Sequence, residues 1–410
     1  MSNLISSKLK DVIEEQIDNR GKNPPRYCEY SNHPIIDNYL IKNTKYPNLN
    51  EVNRYLDEEL FNGFLRGHLQ KNDVLITLVG AGIGNVSTAN SDKVVIIQNT
   101  IGLRTNESMD NEFLYYLLLF KNDEIVKFDR GSSQPSIRKT DLFNMTIEYP
   151  NIQEQKAIVN VLASFDNKIE ANNKINKKLE ELAKSLYKHW FVDFEFTNEA
   201  GKPYKSSGGK MVESELGLIP KNWILLKLSD VLNFERGVEP GSKNYNETQL
   251  MGLIPFFRVG DLNKINPVYI DEKLSNEKVV KDTDILVSFD GAIGRVGIGF
   301  NGAYSSGLRK IYSKNGDIEN SYIYFVMKSD LIQDTINAYA NGTTILHAGS
   351  SIPHLKVPFN QEIVDKFVEF ASPILEKIVT NLNENKKLAE MRDLLLPKLM
   401  SGEIRLPVEE

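Results

Sequence analysis

The residues best suited to chemistry lie in a short loop, Arg130-Gly-Ser-Ser-Gln-Pro-Ser-Ile-Arg-Lys139. Arg130, Gln134 and Arg138 are side-chain types that make paired hydrogen bonds to guanine and adenine edges. Ser132, Ser133 and Lys139 suit phosphate oxygens. A related loop, Asn341-Gly-Thr-Thr-Ile-Leu-His347, keeps small hydroxyl residues at Thr343 and Thr344 and changes the rest. Arg20, Lys22 and Arg26 are further candidates in the first half, with Arg236, Lys243, Arg258 and Arg309 in the second. His347 is the most interesting of five dispersed histidines, the others being His33, His68, His189 and His354. The chemistry expected of this set is recognition of nucleic acid. Each cation taken alone is more often a solvated surface charge.

Two motifs point instead to catalysis. Leu78-Val-Gly-Ala-Gly-Ile-Gly84 follows an apolar run and resembles a nucleotide-binding turn. Such a site needs a helix next, and here a short polar stretch and another apparent strand follow, so a tight turn between strands is the better reading. Asn23-Pro-Pro-Arg26 resembles the catalytic loop of enzymes that methylate DNA amino groups. That loop ends in an aromatic that stacks on a flipped base, and Arg26 is a poor substitute. The sequence has no Walker A pattern and no Cys/His metal spacing.

The elements that carry the loops occur twice. Asp73-Val-Leu-Ile-Thr-Leu-Val-Gly80 returns as Asp284-Ile-Leu-Val-Ser-Phe-Asp-Gly291, an offset of 284 − 73 = 211. Asn176-Lys-Lys-Leu-Glu-Glu-Leu182 returns as Asn385-Lys-Lys-Leu-Ala-Glu-Met391, an offset of 385 − 176 = 209. Lys8–Ile13 similarly matches Lys227–Leu232, Tyr55–Leu60 matches Tyr269–Leu274, and Gly131-Ser-Ser matches Gly342-Thr-Thr. One long period repeated once implies two similar halves rather than a solenoid. Val74–Val79 and Val94–Gln98 read as strands and Glu112–Phe120 as a buried helix. The second half repeats this order with Ile285–Phe289, Leu308–Tyr312 and Tyr322–Met327.

A long helix is expected after each β-rich part. Between Gln153 and Trp190, Ile158, Leu162, Phe165, Ile169, Leu179, Leu186 and Trp190 recur at steps near three and four. Asn172 and Asn176 occupy the two remaining seam positions. The second helix, Glu362 to Met400, has Phe367, Ala371, Ile374, Ile378, Leu388 and Leu395 on its seam and gaps at Asn381 and Asn385. Antiparallel partners share a constant sum, and 172 + 385 = 176 + 381 = 557. Paired asparagines would fix the register; the other arrangement leaves them on a wet edge. Pro373 predicts a kink or a helix start, capped by Ser372.

The fold class is therefore α+β: two similar β-rich domains separated by two long helices packed as an antiparallel coiled coil, with pseudo-twofold character. The expected divisions are 1–150, a helix over 151–195, a surface linker over 196–215, 216–359, and a C-terminal helix and tail over 360–410. The 410 residues suffice for two to four cores. A net charge of −6 argues against coating nucleic acid by bulk electrostatics and leaves local basic loops open. No run approaches the roughly 18 apolar residues of a membrane span. The opening residues lack a signal-peptide core and the one cysteine, Cys28, cannot form an internal disulfide, which together favour a cytoplasmic protein.

At this point the pattern resembles the specificity subunit of type I restriction-modification systems, along essentially the whole chain. The carriers are Pro150-Asn-Ile-Gln-Glu-Gln-Lys156 leading into Ile158–Asp166, Leu218-Ile-Pro-Lys-Asn-Trp223 before Lys227–Val231, Asp284–Ser288 with Gly291 and Gly294, and the tail Leu394–Ile404. The first half lacks the Ile-Pro-x-x-Trp opening, and Asn360-Gln-Glu-Ile is a reduced form of the first helix entry. The resemblance implies two target-recognition domains, each reading one part of a split double-stranded DNA sequence. It implies helices that act as a ruler and dock two methyltransferase subunits, with restriction/translocase subunits completing the complex. S-adenosylmethionine, ATP and Mg would then sit on those partners and none on this chain. The enzyme alternative is a DNA adenine methyltransferase with its own site at Asn23–Arg26 and the Gly80 turn. A third reading is a coiled-coil scaffold.

Overall fold

The computed structural model describes residues 4–131, 133–262, 267–343 and 345–407. The chain forms two compact units. The first comprises Met1–Ile169 with Lys387–Glu410, and the second Glu170–Lys386. Each unit therefore takes one β-rich part and a segment of both long helices.

In the first unit, β1 (Ile13–Ile17), β2 (Val74–Thr77), β3 (Val86–Thr88) and β4 (Thr100–Thr105) form an antiparallel sheet in the order β1-β4-β2-β3. Val74, Ile76, Ile101 and Leu103 cover one face and pack on α1 (Asn111–Phe120). Six consecutive α1 residues, Phe113 to Leu118, are buried, so this helix is enclosed on all sides rather than amphipathic. The expected strand at Val94–Gln98 is absent. Val94 to Ile97 are buried, but only Val95 forms a bridge, with Ile35. The ladder partners of β2 are Val86–Thr88 and Thr100–Thr105 instead. An apolar run reports burial; it does not distinguish a ladder from a buried connection.

The second unit repeats the design. β5 (Leu232–Arg236), β6 (Ile285–Ser288), β7 (Val296–Gly297) and β8 (Leu308–Ser313) run in the order β5-β8-β6-β7, and α3 (Asn320–Met327) covers the sheet. A further sheet is better developed here. Leu253–Phe257 pairs antiparallel with Val268–Asp271 and parallel with Gly302–Tyr304.

The two long helices are α2 (Ile152–Phe191) and α4 (Gln361–Met400). Asn151 starts α2 by accepting from Gln153 and Glu154 backbone N–H groups at 3.1 and 3.0 Å. Gln155 is fully buried beside it. Its amide donates to Ser108 and Pro150 carbonyls at 3.0 and 2.9 Å and its oxygen accepts from Asp110 N–H at 2.9 Å. Asp110 in turn caps α1 through Glu112 and Phe113 N–H. The Asn-x-x-Glu-Gln spacing thus ties two helix starts together. Glu154, also buried, pairs with Arg405 of the tail.

α4 runs through Pro373 without a new start. Ser372 does not cap; its hydroxyl meets Ser321 Oγ at 2.9 Å. Burial of Phe367, Ala371, Leu375 and Ile378 against Ala183, Tyr187 and Phe191 supplies apolar stabilisation on both sides of the missing N–H. The stretch expected to be a plain linker also carries structure. Phe196 is buried and stacks on Trp223 and Tyr204, and Met211–Ser214 pairs with Gly217–Pro220 in a hairpin.

Within the second unit the helix segments run antiparallel and the asparagines meet. Asn172 Nδ2 donates to Asn385 Oδ1 at 2.9 Å and to Glu384 at 2.7 Å. Asn381 Nδ2 donates to Asn176 Oδ1 at 2.7 Å. Asn172 and Asn381 are almost fully buried, so a slipped register would leave their amides unpaired. Asn381→Leu alone is expected to cost about 1–3 kcal/mol, and adding Asn176→Leu to recover most of it. Urea unfolding of the two variants checks this.

Candidate nucleic-acid interface

The two loops rest on one backbone frame, repeated at a constant offset of 211. Gly80 N–H donates to Pro135 O at 2.9 Å, and Gly291 N–H to Leu346 O at 2.8 Å. Ile137 N–H donates to Leu78 O at 2.8 Å, and Ala348 N–H to Phe289 O at 2.7 Å. Arg130 N–H donates to Ser136 O at 2.9 Å, and Asn341 N–H to His347 O at 3.0 Å. The bridge Val79↔Ser136 likewise has Asp290↔His347 as its counterpart.

Glycine is required at two points of this frame. Gly80 and Gly291 turn the chain at φ +90° and +74°. A Cβ on Gly131 would lie 1.8 Å from Gln134 O, and one on Gly342 2.1 Å from Ile345 O. Gly342 also sits at φ +113°. Gly342→Ala is expected to spring its loop open. Hydrogen exchange at His347 and Ala348 N–H should then accelerate by about five- to 150-fold, as for a change of roughly 1–3 kcal/mol in local opening.

The run Gly80–Gly84 turns directly from β2 into β3, with Gly84 N–H donating to Thr77 O at 2.8 Å. Asn38, which sequence inspection missed, braces this turn through the Val79 and Ala81 carbonyls. No helix follows the turn, so the geometry of a dinucleotide cradle is missing.

The frame brings some of the candidate side chains together. In the first unit, Arg20 and Lys139 converge on Asp18 at 2.8 and 3.1 Å. The Arg20 guanidinium, helped by Lys139, holds the Asp18 carboxyl far below the ordinary carboxylate range. Arg130 pairs with Asp141 at 2.9 Å. The Gln134 amide lies over Gly80, while Ser133 and Arg138 are exposed. Arg26 is drawn off to Asp57 and Glu59, and Lys22 stands over the Phe64 ring at 4.8 Å. Asn23–Arg26 is a loop.

In the second unit, Arg236 and His347 converge on Asp290, with Arg236 Nη2 at 3.9 Å and His347 Nδ1 at 2.7 Å. Arg309 is a correction to the exposed set. It is only 9% exposed, donates to Ser306 and Leu308 carbonyls, and stands over the Phe289 ring. Burial, together with the Arg236 charge, lowers its pKa, and the carbonyl hydrogen bonds tie its side chain to the frame. Arg258 pairs with Asp261 at 3.3 Å. Lys243 and Thr343 are exposed and apart from this cluster's hydrogen bonds. Ser132 and Thr344 lie outside the described residues. The acids Asp18, Asp141 and Asp290 that organise the cations were not singled out from sequence; Asp290 was legible only as the position where the repeat changes Val79.

A family model for the type I restriction modification DNA specificity domain matches residues 1–181 and again 220–390. The chain belongs to that family. The MjaIX type I specificity subunit of Methanocaldococcus jannaschii is 30% identical over 82% of this chain and 78% of its own length. The HindI specificity subunit of Haemophilus influenzae is 22% identical, over 97% of this chain and all of its own. In fold, the crystal structure of a type I restriction-modification S subunit from M. genitalium matches with a TM-score of 0.53 at 17% identity, covering 97% of this chain and 96% of that one. As a type I specificity subunit, the chain has two target-recognition domains, and the two copies of the loop frame fall one in each matched stretch. No helix among the described residues is long and apolar enough to cross a membrane.

Proposed function

We propose that each unit reads one half of a split double-stranded DNA sequence through its loop on the doubled frame, and that α2 and α4 set the unread gap and dock two methyltransferase subunits. The repeated backbone hydrogen bonds carrying unlike side chains are the observation behind this reading. A fixed frame with variable contacts lets two halves of one chain recognise two different half-sites. Most of the cations on it are already paired with acids, so binding draws less on bulk charge than on where each donor is held. The chain acts without catalysis of its own. S-adenosylmethionine, ATP and Mg belong to the methyltransferase and restriction/translocase subunits, and the complex works in the cytoplasm.

Base-resolved methylation mapping in cells with and without this chain tests the reading. The expected result is one bipartite motif, methylated only when the chain and its partner subunits are present. Methyl transfer by the purified chain alone, given S-adenosylmethionine and DNA, would overturn it.

A further inference from the structure

The second unit holds a polar pair where the first has none. Asp290 and His347 face each other across the bridge that Val79 and Ser136 occupy in the first unit. His347 Nδ1 lies 2.7 Å from Asp290 Oδ1, with the aspartate side chain 19% exposed and the histidine 58%. A carboxylate only accepts, so Nδ1 carries the hydrogen and donates. In a neutral imidazole that leaves Nε2 as an acceptor, and Nε2 has no hydrogen-bond partner among the described residues. Arg236 Nη2 stands 3.9 Å from the other Asp290 oxygen. Backbone bonds on both sides fix the ring's base: His347 N–H donates to Asn341 O at 2.7 Å, and Ala348 N–H to Phe289 O. Next to it, Ile345 and Leu346 are exposed apolar side chains.

We propose that His347, oriented by Asp290, is a specificity-determining residue of the second unit, where it accepts a hydrogen bond from an exocyclic amino group, adenine N6 or cytosine N4, in the major groove. Those are the donor groups the groove presents, and an oriented acceptor selects for them against guanine and thymine edges. Ile345 and Leu346 supply apolar contact of the kind a thymine methyl takes. Asp290 is a positioning residue: it fixes which ring nitrogen faces outward. The first unit, with Val79 and Ser136 at these places, cannot make the same contact. This inference rests on the function proposed above.

The test is methylation mapping with the assembled complex carrying the wild-type chain, His347→Ala or Asp290→Ala. His347→Ala is expected to relax one position of one half-site, lowering its discrimination about ten- to hundredfold, the worth of one base contact. The rest of the motif stays. Asp290→Ala is expected to relax the same position, and the double variant to do no more than His347→Ala. The base preferred at that position in the wild type, adenine or cytosine, identifies the amino group. Uniform loss over all positions, or an unchanged motif, overturns the inference. Should His347→Ala fail to assemble, His347→Gln is read instead; glutamine suits adenine, so a cytosine at that position should give way to adenine and an adenine should be kept, and a cytosine that persists is again a refutation. If the wild-type complex gives no bipartite motif, the proposed function falls and takes this inference with it. If it gives one that the variants leave alone, only this inference falls.

Discussion

Arg392→Ala is expected to remove about 3–5 kcal/mol from the stability of the first unit. Arg392 Nη1 donates to Asp166 Oδ1 at 2.6 Å, and Tyr116 OH donates to Asp166 Oδ2 at 2.6 Å. The Asp166 side chain is 4% exposed and that of Arg392 13%. Burial of this pair is costly in itself, and the attraction between its charges offsets that cost only while both are present. Truncating the arginine leaves a buried carboxylate with one neutral donor. The cost is large because the pair joins α4 to α2 and α1 beside the core of Leu162, Leu396 and Leu399. Urea unfolding of the full chain should show a separate, earlier transition for the first unit, since two units need not unfold as one. Adding Asp166→Asn to Arg392→Ala is expected to recover part of the loss, because a neutral amide needs no counter-charge. A shift worth less than about 1 kcal/mol for the single variant would refute this account.

Exchanging residues 1–150 for those of another member of the family is expected to replace one half of the methylated motif and leave the other intact. Each mismatched base pair costs a recognition protein about 1–3 kcal/mol, roughly additively, so a half-site of several new bases loses methylation at the old motif altogether. The donor segment must keep Tyr116 and the apolar α1 face, since Asp166, Leu396 and Leu399 remain from this chain and pack against them. Methylation mapping of the exchanged complex reads the outcome. A motif altered in both halves would mean that the units do not read independently; an unaltered motif would place recognition elsewhere.

Much of this architecture is written locally. The apolar steps of three and four in α2 and α4, and the asparagines that interrupt them, report which face of each helix is buried, because a helix has one period and one seam. The doubled strand at Asp73 and Asp284 reports its own sheet position in the same way. Where local pattern failed, the cause was a partner distant in sequence. Val94–Gln98 is apolar enough for a ladder, yet β2 finds its neighbours at Val86–Thr88 and Thr100–Thr105. Pro373 ends a helix only if nothing packs on both sides of it, and Phe196 looks like linker until Trp223 stacks on it.

The loop chemistry divides along the same line. Residue types alone marked Arg20, Arg26, Arg130, Lys139, Arg309 and His347 as candidates, and the duplication marked their loops as equivalent. Which of them face outward was decided by the fold. Asp57 and Glu59 claim Arg26, Asp18 claims Arg20 and Lys139, and backbone carbonyls claim Arg309. By itself, then, the sequence determined two like halves and a paired-helix register, because burial periodicity and repetition are properties of neighbouring residues. Which polar groups are left for a partner follows from the folded chain, because a hydrogen bond or ion pair is satisfied by whatever the fold brings near, at any distance along the chain.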